Sequence, residues 1–422
     1  MIPWLVVALS CGSSEDVEPI PIPPIGDELL EQLDVAKMRD HVEVLADDSL
    51  GGRIPGSIGS QAARDYILGE MIEVGLQPLG DAGAFTYVYD NEPESGSYMF
   101  DATGAIVPHA TVQGADLIGI IPGSDPDLAH EHMVVMAHYD HLGVTDEGEV
   151  FNGAFDNAAA VAMNLELARL LIDNDIAFKR SLIFLFTDDE EFGLDGSEAW
   201  IEDPTVPQES IVFGVSTDPL GRASLPDFDP IVLIGLERSP GLESVWREAA
   251  SYLDDRVFFI HRDIIPIFAS DQDPFFEHET PALWFTNIGF SYYHTTGDVP
   301  ETIDYRIMVR NTRLLVYGLA LIGSRSERYD YLGPVEPAGE AATEALRLVN
   351  ALLGSSVIDD DDRDHADYYT GELEKVIEAD SHDALDNMEA FYVGALYFLL
   401  FDLPTKYPGD IPPPWPGNYP QD

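Results

Sequence analysis

The chain has little cysteine and little positive charge. Its one cysteine, Cys11, excludes an internal disulfide and a structural zinc site built from thiolates. The 422 residues include 77 acidic and 21 basic side chains, for a formal net charge of −56. A charge of this sign repels phosphate groups, so we expect no nucleic acid as a partner.

Long apolar runs are also scarce. The first ten residues, MIPWLVVALS, are too short to cross a bilayer as a helix, and no later run is long enough. The run ends at Cys11 and resembles a bacterial lipoprotein signal, although it lacks the usual basic residues at its start. We therefore expect an exported protein, secreted or anchored in the cell envelope (periplasmic or outer-membrane) through a lipid on Cys11. A plain apolar N-terminus with a free thiol is the alternative.

Short apolar runs alternate with helical patterns along most of the chain. This alternation predicts an α/β fold with a mostly parallel central sheet and helices on both faces. The predicted strands are 115–122, 133–137, 182–186, 211–215, 231–234 and 282–285, and the clearest predicted helices are 57–74, 157–172 and 304–323.

The predicted domain organisation has three parts. Residues 1–24 are the lipoprotein-type signal and a proline-rich tether, and residues 25–325 are the α/β domain. Residues 326–422 form a C-terminal helical extension with helices predicted at 341–353 and 383–400 and a proline-rich tail. A helical hairpin packed on the α/β domain is the simplest account of the extension, and a separate binding module is the alternative.

The stretch 181–197, SLIFLFTDDEEFGLDGS, is the most informative part of the sequence. Its apolar run predicts a buried strand, which leads directly into four consecutive carboxylates: Asp188, Asp189, Glu190 and Glu191. Anions at a buried strand end repel one another strongly unless a cation lies among them. The alternative is an acidic surface loop.

Other polar residues also follow predicted strands. His138 and Asp140 follow 133–137, Asp218 follows 211–215, and His294 follows 282–285 after a short loop. Asp156 directly precedes the helix 157–172, at the position of an N-cap. Ligands collect at the carboxyl ends of parallel strands. Imidazole and carboxylate groups are suitable zinc ligands, and one shared carboxylate suits two zinc ions that hold a bridging hydroxide for hydrolysis.

From about residue 40 to 323 the chain resembles the co-catalytic di-zinc aminopeptidase family, which includes bacterial leucyl aminopeptidases and is related to glutamate carboxypeptidase II. Six motifs carry this resemblance in the order of the family. They are AHYDHLG (137–143), NGAFDNAAA (152–160), EEFGLDGS (190–197), STDPLG (216–221), SDQDPF (270–275) and YHTTGDVPETID (293–304).

The resemblance implies a role for each matching residue. His138 and Asp218 would bind one zinc, Glu191 and His294 the other, and Asp156 would bridge both. Glu190 would be the general base. The remaining implied roles concern neighbours of the ligands: Asp140 would orient the ring of His138, Tyr293 would donate to the developing oxyanion, and Asp298 would support the loop of His294.

The implied protein is a metallo-aminopeptidase with two Zn²⁺ per chain and a peptide substrate. A carboxypeptidase or dipeptidase of the same family is one alternative, because the pocket and not the metal ligands decides that specificity. A glutaminyl cyclase-like aminoacyltransferase with one zinc is another, and a non-catalytic binding protein is a third. Phe155 and Gln272 depart from the usual motifs but remove no ligand. For His141 a structural or substrate-lining role is favoured over metal binding.

Overall fold

We describe the protein from a computed structural model. The described residues are 25–91, 98–100, 106–108, 112–253, 256–262, 270–335 and 339–379. The predicted signal, Cys11 and the tether lie outside these residues, as do the predicted helix 383–400 and the proline-rich tail.

A nine-stranded sheet forms the centre of the described structure. Its order is β1-β5-β7-β6-β8-β11-β9-β10, and β2 pairs with part of β5. A separate two-stranded sheet pairs β3 with β4. The strands are Gln77–Pro78 (β1), Thr86–Asn91 (β2), Tyr98–Phe100 (β3), Ile106–Pro108 (β4), Val112–Ile121 (β5), His132–His138 (β6), Ser181–Thr187 (β7), Ile211–Thr217 (β8), Ile231–Ile234 (β9), Val257–Ile260 (β10) and Ala282–Thr286 (β11).

The predicted α/β class with a central sheet is confirmed, and the parallel part of the sheet is its middle. Strands β7, β6, β8 and β11 are parallel neighbours. The sheet as a whole is mixed, because β5 runs antiparallel to β7 and β9 runs antiparallel to β11. The carboxyl ends of the four central strands therefore open on one edge, as the site prediction requires.

The central strands are buried on both faces, which explains their uninterrupted apolar sequences. Successive side chains of a strand point to opposite faces. In β7, Leu182, Phe184 and Phe186 enter the larger apolar core, whereas Ile183 and Leu185 enter the smaller one on the other face. The larger core includes side chains of the helices α2 (Val35–Leu45), α3 (Ile58–Val74), α4 (Ala159–Asp173), α6 (Pro240–Ala250) and α8 (Tyr305–Ser324). The smaller core includes side chains of the helices α5 (Asp195–Glu202) and α7 (Gln272–Glu277).

The helices follow ordinary sequence signals. Ser57 caps α3 by accepting a hydrogen bond from the backbone of Ser60, and the helix ends at Gly75 in the left-handed region, with φ +96°. The helices are Asp27–Leu30 (α1), Val35–Leu45 (α2), Ile58–Val74 (α3), Ala159–Asp173 (α4), Asp195–Glu202 (α5), Pro240–Ala250 (α6), Gln272–Glu277 (α7), Tyr305–Ser324 (α8), Gly339–Leu353 (α9) and Asp360–Ala379 (α10).

The described part of the C-terminal extension contains helices, as predicted: α9 covers the predicted helix 341–353, whereas α10 was not predicted and residues 326–335 are irregular. Helices α9 and α10 contact each other, and α9 contacts the edge strand β10. The guanidinium of Arg347 lies 4.1 Å from the ring centroid of Phe258, and Ser355 donates to Asp227. Among the described helices, none has the length and apolar character needed to cross a membrane.

Candidate metal centre

The structure brings the five predicted ligands together at the carboxyl ends of the central strands. His138 is the last residue of β6, Asp218 directly follows β8, and Glu191 lies four residues beyond β7. His294 follows the helical turn Phe290–Tyr292, which lies beyond β11. Asp156 lies in the turn Ala154–Ala158, before α4.

The prediction that Asp156 caps the following helix is wrong. Helix α4 begins at Ala159, and Ala158 occupies the N-cap position. Asp156 has non-helical backbone angles of φ −123° and ψ 89°. Its carboxylate instead faces two histidines. Oδ1 lies 3.1 Å from Nε2 of His138, and Oδ2 lies 3.1 Å from Nε2 of His294. The placement of Asp156 between two histidines is what a shared ligand requires.

Two groups of three side chains in the described structure could each hold a metal ion. His138, Asp156 and Asp218 form the first, and His141, Asp156 and Glu191 form the second, with the ligand atoms of each group within 4.8 Å of one another. In the first group, Nε2 of His138 lies 3.3 Å from Oδ1 of Asp218. Beside the second group, Nε2 of His294 lies 3.0 Å from Oε2 of Glu191.

The donor atoms fit zinc in type and in spacing. Zn–N and Zn–O bonds near 2 Å place neighbouring ligands of a tetrahedral ion about 3.3 Å apart, close to the separations described above. Nε2 of His294 and Oδ2 of Asp156 are both buried and lie 3.1 Å apart, but neither atom makes a hydrogen bond of ordinary geometry. Buried polar atoms are almost always hydrogen-bonded in native proteins. A cation between the nitrogen and the oxygen would satisfy both.

Asp140 contacts the histidine ring that the prediction assigned to it. Its Oδ1 lies 3.3 Å from Nδ1 of His138. The same carboxylate accepts hydrogen bonds from the backbone amides of Glu190, at 3.1 Å, and Glu191, at 3.3 Å. Asp140 therefore links the loop after β6 to the loop after β7, in addition to facing the histidine ring.

Glu190 and Tyr293 border the two groups without belonging to either. Oε2 of Glu190 lies 3.9 Å from Nε2 of His138, and its side chain is 9% exposed. Burial raises the pKa of Glu190; His138 lowers it, whereas Asp218 and Glu191 raise it further, so that it ends well above the ordinary value. The ring of Tyr293 stacks on that of His294, with centroids 3.8 Å apart.

The charged groups of the centre shift the pKa values of one another. Burial lowers the pKa of His294, but the carboxylates of Glu191 and Asp156 outweigh burial and raise that pKa to about 10. Burial and the nearby Asp156 raise the pKa of Glu191, yet His294 and His141 lower it to about 2. The protonated imidazole of His294 thus supplies positive charge between ionised carboxylates, the position that a metal ion would take.

Sequence reasoning missed Arg53, which joins the two loops that carry His138 and Asp156. Its buried guanidinium donates to the carbonyl oxygens of Tyr139 at 2.7 Å, Asn152 at 2.5 Å and Gly153 at 3.0 Å, and also to Leu45. A rare basic residue after two glycines, in so acidic a chain, was the available signal. It did not reveal the partners, because they are backbone atoms and three of the four lie 86 to 100 positions away.

Sequence reasoning also favoured a structural or substrate-lining role for His141. The structure places its ring in the second group, fully buried, with Nδ1 2.6 Å from Oε1 of Glu191. The available signal was that His141 lies three residues after His138. The direction of its side chain could not be predicted, because the alternation of side chains along a strand does not continue beyond the end of β6.

Residues 116–319 match the family described as Peptidase family M28. This match confirms the resemblance to the co-catalytic zinc peptidases over just under half of the chain, and it supports a zinc-dependent peptidase domain.

Two curated fungal relatives match shorter stretches. A protein of Schizosaccharomyces pombe named "Putative endoplasmic reticulum metallopeptidase 1" is 29% identical over 172 residues, which are 40% of this chain and 20% of that protein. A "Vacuolar membrane protease" of Candida dubliniensis is 31% identical over 159 residues, 36% of this chain and 15% of that protein. The chain thus matches a fifth or less of the length of either relative.

Solved structures share the fold at low sequence identity. LapB from Legionella pneumophila has a TM-score of 0.55 and 20% identity, covering 73% of this chain and 77% of that chain. An aminopeptidase from Aneurinibacillus sp. strain AM-1 has a TM-score of 0.55 and 13% identity, covering 73% and 98%. A glutaminyl cyclase from Fimbriiglobus ruber has a TM-score of 0.52 and 18% identity, covering 69% and 96%.

Proposed function

We propose that this chain is a zinc aminopeptidase that holds two zinc ions and removes N-terminal residues from peptides. The observation that carries the proposal is the sharing of Asp156, whose two carboxylate oxygens face His138 on one side and His294 on the other, each at 3.1 Å. His138, Asp156 and Asp218 would hold one ion. Asp156, Glu191 and His294 would hold the other.

Zinc bound at these positions would supply Lewis acidity for the attacking water and for the scissile carbonyl. Glu190 would accept the proton of the attacking water and deliver it to the leaving amine. The side chain is suited to this task because it lies beside His138 without being needed as a ligand. Burial raises its pKa, and a divalent cation nearby would lower it again, which favours a base that both takes and releases a proton.

Recognition of a free N-terminus is the finer part of this proposal. An aminopeptidase, from Aneurinibacillus sp. strain AM-1, is among the solved structures that share the fold, and this likeness supports it. The four carboxylates of the centre, Asp156, Glu190, Glu191 and Asp218, would balance the charge of two zinc ions, so they do not by themselves select between the two ends of a peptide. Tyr293, stacked on His294, would donate a hydrogen bond to the oxyanion in this proposal.

Hydrolysis of a substrate panel tests the proposal. Aminoacyl p-nitroanilides, free dipeptides, N-blocked peptides and N-terminal glutaminyl peptides would be compared before and after treatment with a chelator. We expect release of free N-terminal residues, loss of that activity with chelator, and two zinc ions per chain by elemental analysis. Cleavage of blocked peptides alone would instead favour the carboxypeptidase alternative. Cyclisation with one zinc per chain would favour the glutaminyl cyclase alternative.

We also propose that the protein works outside the cytosol. The names of the fungal relatives place those proteins in the endoplasmic reticulum and the vacuolar membrane. Because residues 1–11 resemble a bacterial lipoprotein signal, the proposal includes a lipid anchor on Cys11. Metabolic labelling with palmitate and cell fractionation test it: we expect label on the protein and its loss in a Cys11→Ala variant, whereas an unlabelled cytosolic protein would exclude export.

A further inference from the structure

The carboxylate of Glu191 has a different partner for each oxygen. Oε2 lies 3.0 Å from Nε2 of His294, on the side of the second proposed zinc position. Oε1 lies 2.6 Å from Nδ1 of His141, a histidine that none of the roles above uses. A carboxylate accepts hydrogen bonds and cannot donate them when ionised, so Nδ1 of His141 carries the proton.

The ring of His141 is held from several directions. It is fully buried, and its backbone amide donates to the carbonyl oxygen of Arg53 at 3.4 Å. Gly153 leaves the space that the ring occupies, because a Cβ added there would lie 2.6 Å from two ring carbons of His141. The rings of His141 and His294 meet edge to face, with centroids 5.9 Å apart. The ring therefore has a defined orientation toward Glu191.

We propose that His141 is a positioning residue that donates its Nδ1 proton to Oε1 of Glu191 and so directs Oε2 toward the second zinc ion. This inference rests on the proposed function. A metal ligand that is itself hydrogen-bonded by a neighbour keeps one orientation, and loss of such a neighbour typically costs 10- to 100-fold in metal affinity.

The distances favour this role over direct ligation by His141. Its Nδ1 lies 2.6 Å from Oε1 of Glu191, close to the distance of about 2.7–2.9 Å typical of a charge-assisted hydrogen bond. Two ligand atoms on one tetrahedral zinc ion would be about 3.3 Å apart. The distance from Nδ1 to Oδ2 of Asp156 is 3.9 Å, longer than the 3.1 Å between that oxygen and Nε2 of His294.

Two substitutions of His141 in the full-length chain test the proposal. The amide nitrogen of Asn can take the place of Nδ1, so His141→Asn keeps the donor, whereas His141→Ala removes it. His132→Ala and His132→Asn are matched controls, because His132 is also buried and hydrogen-bonded, to Ser210, but lies at the other end of β6, about 20 Å along the strand. Zinc affinity at each of the two sites would be measured by competition with a chromogenic chelator, and the Co²⁺ forms compared by visible absorption.

We expect His141→Ala to weaken one of the two zinc sites by about 10- to 100-fold and His141→Asn to recover most of that loss. Both His132 variants should bind two zinc ions as the parent does, and the His141→Asn protein should keep the parental Co²⁺ spectrum. Unchanged affinity in His141→Ala would overturn the proposal. An equal loss of zinc affinity in both His141 variants, together with an altered Co²⁺ spectrum, would also overturn it, because direct ligation of zinc by His141 predicts that result. If the parent chain binds no second zinc, the proposed function itself fails, and that result is visible before any variant is compared.

Discussion

The carboxylate of Asp298 accepts a hydrogen bond from the backbone amide of Asp156 at 3.2 Å. The same carboxylate accepts from the amide of Phe155 at 2.9 Å and pairs with Arg222 at 2.6 Å. Asp298 is fully buried four residues after His294. It therefore ties the loop of the proposed second zinc ligand to the turn that carries the proposed bridging ligand, a wider role than support of its own loop.

Replacement of Asp298 by Asn should weaken both zinc binding and the fold. The amide oxygen can still accept one backbone hydrogen bond, but Arg222 loses its charged partner inside the protein. Breaking a buried ion pair typically costs about 3–5 kcal/mol. We expect a loss of that size in the free energy of unfolding, measured with urea, and a lower affinity for zinc.

Asp304→Asn is the matched control for that variant. Asp304 also accepts from a backbone amide and pairs with an arginine, Arg306, but at the start of α8, where the arginine side chain is 64% exposed. Its replacement should cost about 1 kcal/mol or less and leave zinc affinity unchanged. Equal effects of the two substitutions would contradict the role assigned to Asp298.

Arg53→Lys should destabilise the protein although it keeps the positive charge. An ammonium group cannot reach the four carbonyl oxygens that the guanidinium bonds. A buried carbonyl left unpaired costs about 1–3 kcal/mol, so the free energy of unfolding should fall by about 3 kcal/mol or more. Zinc affinity should fall as well, because the segments that carry His138 and Asp156 would no longer be joined by hydrogen bonds to one guanidinium.

Exposed Arg306→Lys provides the comparison, with an expected cost below about 1 kcal/mol. A small effect of Arg53→Lys on unfolding and on zinc affinity alike would exclude the bracing role of Arg53.

Zinc uptake should release protons. The pKa of His294 is raised to about 10, so the metal-free protein holds a proton there at pH 7, and a metal ion binds only the neutral ring. Calorimetric titration with zinc in buffers of different ionisation enthalpy should show net proton release at pH 7 and weaker binding as the pH falls. A binding heat that is independent of the buffer would contradict the protonated state of His294.

The metal-free protein should show the matching dependence of stability on pH. The pKa of His294 is raised from 6.5, so its stabilising contribution is complete below pH 6.5 and is lost as the pH rises toward 10. The pKa of Glu191 is lowered from 4.5 to about 2, so its contribution is complete above pH 4.5 and is lost toward pH 2. Thermal melts in chelator should therefore show the full contribution of both groups between pH 4.5 and 6.5. His294→Ala should reduce the loss on the alkaline side, to which His138 also contributes because, against the effect of burial, nearby carboxylates raise its pKa as well.

Glu190→Gln should reduce peptide hydrolysis by about 10²–10⁴-fold while two zinc ions remain bound. The amide keeps the shape of the side chain but cannot accept the proton of the attacking water. Glu198→Gln, on the surface of α5, is the control with unchanged rate. Near-normal hydrolysis by the Glu190→Gln protein would exclude it as the base.

Much of the fold and of the site could be predicted from sequence because each signal is local. An apolar run such as 182–186 predicts a strand buried on both faces. The polar residues after such runs predict a metal centre at the carboxyl ends of the strands. His138, Glu191, Asp218 and His294 were found in this way, and Asp156 was found by its place before a predicted helix. Their roles as ligands came from the family resemblance and stay predictions that the experiments above test. The domain boundaries after residues 24 and 325 also stay predictions.

The sequence by itself determined which side chains reach one edge of the sheet, since strand order along the chain and the polar residues after each strand are both written in it. Only the tertiary structure decided the direction of β5 and β9, the placement of Asp156 outside the helix cap, and the partners of Arg53, His141 and Asp298. The physical reason is that these features depend on contacts between backbone and side-chain atoms that lie tens to more than a hundred positions apart. No local pattern of residues encodes such contacts.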